Sequence, residues 1–136
     1  ITARGICPIN TTNELSDIAR PFSGIKGVKY LAQVFQALRI EVNDEIKGIE
    51  EFLVQTLEVL NPEGRVVIMA YHSLEDRPVK NFLKFGILKG QPEKDIYGRF
   101  FCPWKPITKK PIEASITETK ENPRSRSAKL RIAEKI

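Results

Sequence analysis

Tyr71-His72-Ser73-Leu74-Glu75-Asp76-Arg77 gathers an imidazole, a hydroxyl, two carboxylates and a guanidinium into one short stretch. His72 is the chain's only histidine. An imidazole here can orient a base or relay a proton near neutral pH, or simply be hydrogen-bonded in place to shape a strand end. Ser73, Glu75 and Asp76 suit the capping and first-turn positions of a helix. What must position them is the apolar run just before, Val66-Val67-Ile68-Met69-Ala70, which follows the turn signal Asn61-Pro62-Glu63-Gly64. A run this short and β-branched predicts a strand buried on both faces, as in a parallel sheet under helices. Ligands of open α/β sheets sit outside the carboxyl ends of such strands, which is where His72, Ser73, Glu75 and Asp76 fall.

Charge is unevenly placed. Residues 1–104 carry 13 Lys/Arg and 13 Asp/Glu, whereas residues 105–136 carry 9 against 4, so the whole net charge of +5 lies in the last quarter. Arg124, Arg126, Lys129 and Arg131 are the candidate contacts for a phosphate backbone, with Lys109 and Lys110 behind them. The competing reading is a solvated edge that resists aggregation. Gln36, Arg39 and Asn43 share one face of an apolar-periodic helix, either as a solvated stripe or as a hydrogen-bonding support for the pocket. Phe100, Phe101 and Trp104 are expected to anchor their loop to the core rather than stack on bases. Cys7 and Cys102 lie far apart without Cys-x-x-Cys spacing, so reduced thiols are expected and no metal site.

A chain of 136 residues, 41% hydrophobic and 29% charged, can bury a core of ordinary size. It has no apolar stretch of membrane-spanning length and no signal-peptide pattern, so a cytoplasmic protein without a membrane partner is expected. Residue 1 is Ile and the only methionine is Met69, so the chain is expected to be a piece of a longer product. Thr11-Thr12-Asn13-Glu14 reads as a capping box opening a short helix that stops at Pro21. Apolar residues from Tyr30 to Leu60 recur at three- and four-residue steps and predict one long helix. After the strand, a second helix is expected from Asp76 as N-cap, with Pro78 in its tolerated first turn, to about Phe85, with Gly86 as its stop. Residues 106–113 can form a short strand. In 127–135, Ala128, Leu130 and Ile132 alternate with Lys129 and Arg131, predicting a half-buried antiparallel strand.

Three stretches together carry a resemblance: residues 35–45 (Phe-Gln-Ala-Leu-Arg-Ile-Glu-Val-Asn-Asp-Glu), residues 71–77 with Val79-Lys80, and residues 122–131 (Asn-Pro-Arg-Ser-Arg-Ser-Ala-Lys-Leu-Arg). In order and content they resemble the C-terminal half of the RsmH family, also called MraW. Tyr71 stands where the family usually has Phe, and Pro78 where it usually has an aliphatic residue. The resemblance implies an α/β fold: the C-terminal portion of a class I, Rossmann-like methyltransferase sheet with part of an inserted helical domain. Residues 1–29 would end that inserted domain, and residues 30–136 would supply a long helix, a buried strand, a helix and a terminal strand pair.

The resemblance also implies a chemistry, methyl transfer from S-adenosylmethionine to the N4 amine of a cytidine in 16S rRNA of the small ribosomal subunit. A target base must leave its stack for this, and Glu75 or Asp76 could accept a hydrogen bond from its poorly nucleophilic amine. No Gly-x-Gly occurs in the chain, so no cofactor-binding residues are expected within it. The segment would supply RNA contacts and one wall of the base pocket, be inactive alone, and be open to self-association through bare strand edges. The alternative is a non-catalytic RNA-binding or ribosome-assembly module that keeps half a methyltransferase fold.

Overall fold

The computed structural model describes Gly5 and residues 8–136, in two compact units that divide between Glu45 and Ile46. In the first unit the expected capping box is formed. The Thr11 hydroxyl accepts the Glu14 N–H at 3.2 Å, and the Glu14 carboxylate accepts the N–H groups of Asn10 and Thr11 at 2.7 and 3.1 Å. Helix α1 (Thr12–Ala19) follows and gives way at Pro21 to single turns at Arg20–Phe22 and Gly24–Lys26. Helix α2 spans Gly27–Val42. Cys7 lies outside the described residues, while Cys102 is a free thiol whose pKa burial pushes up.

The single helix expected from Tyr30 to Leu60 is two. Asp44 takes a left-handed conformation, φ 51°, after α2, and helix α3 (Glu45–Val59) starts anew. Asn and Asp enter this region at lower cost than other residues bearing a side chain. The Glu45 carboxylate then ties the junction, taking the Arg39 guanidinium at 2.8 and 3.1 Å and the Asn43 amide at 3.2 Å. The boundary expected after residue 29 falls inside α2.

In the second unit, α3 sends Ile49, Leu53 and Leu57 into the core. Strand β1 (Arg65–Ala70), β2 (Trp104–Pro106), β3 (Ile112–Glu113) and β4 (Lys129–Lys135) form one sheet. All pairing is antiparallel and passes through β4, with β1 on one side and β2 and β3 on the other. Helix α4 (Ser73–Phe85) packs on this sheet through Val79, Phe82 and Leu83, as expected. Trp104 is 2% exposed, its ring 6.0 Å from that of Phe82, while Phe100 lies 5.7 Å from Phe85; Phe101 stays exposed.

Within this chain strand β1 is covered on one face. Val66 and Ala70 are buried, while Val67 and Met69 are 57% and 52% exposed. The register sets Val66 opposite Ala133 and Ile68 opposite Arg131, and opposite residues share a face. The core face of β4 therefore carries Arg131, Ala133 and Lys135, and Leu130 and Ile132 lie on the other face with Met69 and Val67. Cations can sit on the core face because each finds oxygen partners. Lys135 Nζ donates to the carbonyls of Leu57 and Leu60 at 2.6 Å each, closing the end of α3.

Helix α4 starts at Ser73 with His72 as N-cap, four residues before the expected N-cap Asp76, so Pro78 lies inside it. The first helical bond runs from the Asp76 N–H to the His72 carbonyl at 2.9 Å. The proline forfeits the one bond its own N–H would make to Leu74. The longer helix places Glu75 to cap the entry and Asp76 to reach β4. It ends at Gly86, φ 74°, as expected. A short six-residue helix, α5 (Ile116–Glu121), and a turn at Pro123–Ser127 lead into β4.

Candidate functional site

Ala70, the last residue of β1, pairs with Lys129, the first of β4. The chain leaving β1 through Tyr71, His72 and Ser73 and the chain arriving through Arg124 to Ala128 therefore meet at the same end of the sheet. Two of the three stretches singled out in the sequence, about fifty residues apart, are brought together by that register.

His72 and Ser73 are exposed at the entry to α4. Glu75 is half-buried, and its Oε2 accepts the N–H groups of Tyr71 and His72 at 3.1 and 3.3 Å. Its Oε1 makes no hydrogen bond among the described residues. Asp76 is engaged through both oxygens: Arg131 Nε donates to Oδ1 at 2.6 Å and Arg131 Nη2 to Oδ2 at 2.9 Å. The side chains of this pair are 14% and 10% exposed. The hydrogen bonds from Arg131 hold the Asp76 carboxyl below the usual carboxylate range against the opposing effect of burial, and the charges of Arg131, Lys129 and Lys80 add to the lowering. Asp76 and Arg131 thus form the strut between α4 and β4. A free phosphate contact was expected of Arg131; its guanidinium is already matched to a carboxylate.

Arg124 and Arg126 are exposed on either side of buried Ser125. The Ser125 hydroxyl donates to the Asn122 carbonyl at 2.7 Å, Asn122 Oδ1 accepts the Arg124 N–H at 3.2 Å, and the Ala128 N–H reaches the Ser125 carbonyl at 2.9 Å. The turn is fixed from beneath while both guanidinium groups remain without an ion-pair partner among the described residues. Lys129 is half-buried. Within the first unit, Arg39 and Asn43 turn to Glu45.

Sequence reasoning missed the strut itself, because which acid meets which base depends on strand register. It also passed over Lys135 as a helix-closing group and Lys80 and Lys84 on α4. For the latter pair a signal existed, their i,i+4 spacing. Among the described residues no group of three or more His, Cys, Asp or Glu side chains is placed to hold a metal ion.

The family model described as the MraW methylase family matches residues 1–136. The chain belongs to the MraW methylase family. It is 51% identical over 137 residues to a ribosomal RNA small subunit methyltransferase H of Parabacteroides distasonis, covering 100% of this chain and 45% of that protein. It is 53% identical over 136 residues to the protein of that description from Amoebophilus asiaticus, covering 99% of this chain and 44% of the relative. The Flavobacterium johnsoniae protein is 50% identical over 137 residues, with 100% and 45% covered. The chain thus spans a little under half the length of these family members. No described helix is long and apolar enough to cross a membrane.

Proposed function

We propose that this chain is the substrate-side portion of a cytoplasmic enzyme that methylates the N4 amine of a cytidine in 16S rRNA of the small ribosomal subunit. The observation that carries the reading is the Ala70–Lys129 register, which brings the segment after β1, bearing His72, Ser73 and Glu75, and the turn before β4, bearing Arg124 and Arg126, to the same end of the sheet. Exposed arginines on an anchored turn suit phosphates flanking a base that has left its stack. His72 and Ser73 orient that base. The unpaired Oε1 of Glu75 accepts a hydrogen bond from its exocyclic amine, drawing electron density towards a nitrogen whose lone pair is otherwise delocalised into the ring. Asp76, locked to Arg131, positions this end of α4 rather than touching the base. Arg39 and Asn43 act at one remove, by fixing the α2–α3 junction.

S-adenosylmethionine, the methyl donor expected of such an enzyme, does not fit the described residues. The Tyr71 and His72 N–H groups, which could otherwise grip its carboxylate, are bonded to Glu75, and no glycine-rich turn lies beside them. We assign the donor's site to a part of the longer protein outside this chain.

A chimera tests the reading. This chain would replace the matching segment of the Parabacteroides distasonis relative, and nucleosides of treated small subunits would be analysed by mass spectrometry. N4-methylcytidine is expected, with Glu75→Gln lowering the rate by ten- to a hundredfold without weakening RNA binding. A folded chimera that leaves the rRNA unmodified, while the parent relative modifies it, would count against the proposal.

A further inference from the structure

A cleft of about 360 Å³ lies between α4 and the connection from β2 to β3. Lys80 and Lys84 line one side and Lys109 comes from the connection. Spaced i,i+4, Lys80 and Lys84 sit on one face of α4, where like charges repel. None of the three lysines has an ion-pair partner among the described residues; Lys84 instead lies 4.8 Å from the Phe85 ring centroid. The neighbouring acid, Asp76, is already neutralised by Arg131. The cleft is therefore an uncompensated cationic site.

Leu83, Pro106 and Ile132 give it an apolar wall, next to Arg131, whose guanidinium is engaged by Asp76. Thr108 shares the lining, and its shielded hydroxyl has no hydrogen-bond partner among the described residues. A side-chain rotation would let an oxygen in the cleft satisfy it. Cations on one side and apolar surface on the other match a nucleotide unit, charged at the phosphate and flat and apolar at the base. The volume suits a ligand of that size. Lys80 lies one helical turn beyond Asp76, about 6 Å along the axis. A strand whose target base sits at His72 would reach it within a few nucleotides, at about 3.4 Å each.

We propose that this cleft is a second RNA contact, seating a backbone phosphate on Lys80, Lys84 and Lys109 with the attached ribose or base against Leu83 and Pro106. It rests on the reading of the chain as an RNA-binding enzyme portion and extends the contact surface beyond the Arg124–Arg126 turn.

The test is anisotropy of a labelled single-stranded oligoribonucleotide titrated with the whole chain across a salt series. The triple variant K80Q/K84Q/K109Q is expected to bind at least tenfold more weakly at low salt. Its plot of log affinity against log salt should flatten by about 0.7, from the loss of one neutralised phosphate. The variant K29Q/K47Q/K94Q removes the same charge elsewhere and should leave the slope near wild type; circular dichroism melts confirm that both fold. Equal losses in the two triples, an unchanged cleft variant, or no RNA binding by the wild-type chain would each overturn the proposal. So would competition by duplex DNA or inorganic phosphate as strong as by unlabelled RNA. The measurement reads binding alone, so a chimera that methylates without a working cleft, or the converse, separates this inference from the assignment of activity.

Discussion

Asp76 and Arg131 spend their charges on each other, and that decides what each can do. A bidentate pair this enclosed holds two elements in place, and it leaves neither charge free for another partner. Asp76→Asn would leave a largely buried guanidinium without its counter-charge, at a cost of about 3–5 kcal/mol in urea unfolding. The pair also sets an acid dependence. Because the folded state lowers the Asp76 pKa, the stabilisation is complete above the unfolded value and is lost as pH falls through the folded one. Wild-type stability should therefore fall on acidification below the usual carboxylate range, and the Asn variant should show a shallower decline. A variant with the wild-type acid slope would show that the pair is not the source. The cluster around His72 was legible because strand, turn and capping residues are local signals. Its division of labour was not, since a partner on a distant strand chose between the two acids.

At the scale of elements, the ends of helices were easier to read than their continuity. Thr11, Glu14 and Gly86 announced caps that formed where expected. The apolar period, by contrast, ran through the break at Asp44, because Val42, Ile46 and Ile49 keep helical spacing across it; only the Asn43-Asp44 pair marked the interruption. The alternation in β4 was also visible, but not which side met the helices. Long cationic stems reach the core face where oxygen partners wait, and pattern alone assigns them to solvent. Gly86 permits a clean prediction. Its φ of 74° is left-handed, and an added Cβ would fall 2.7 Å from Pro103 Cδ. Gly86→Ala should cost at least about 1 kcal/mol from the backbone alone, with overlap adding to it, seen as a lower Tm. An unchanged Tm would mean that the loop through Pro103 yields freely.

The whole molecule divides its work. The second unit carries the core, the sheet and the candidate site, while the first contributes amphipathic helices joined to it at Glu45. The α/β class and the terminal antiparallel pair were readable from element order. Which face of β1 this chain covers was not, because a strand rich in Val and Ile looks equally apolar on either side. Calorimetric titration of the chain with S-adenosylmethionine should give no saturable heat, since the strand-end N–H groups are already bonded to Glu75. A stoichiometric isotherm would relocate the donor's site to this chain.

The central strand, β4, follows every strand that pairs with it in the chain. During translation β1 leaves the ribosome first and has no described neighbour until Lys129–Lys135 emerges. The pairings of β1, β2 and β3 with β4 therefore all wait on the strand that is made after them, and this part of the sheet closes late. A slow stretch of codons before β4 would hold back all three described pairings together.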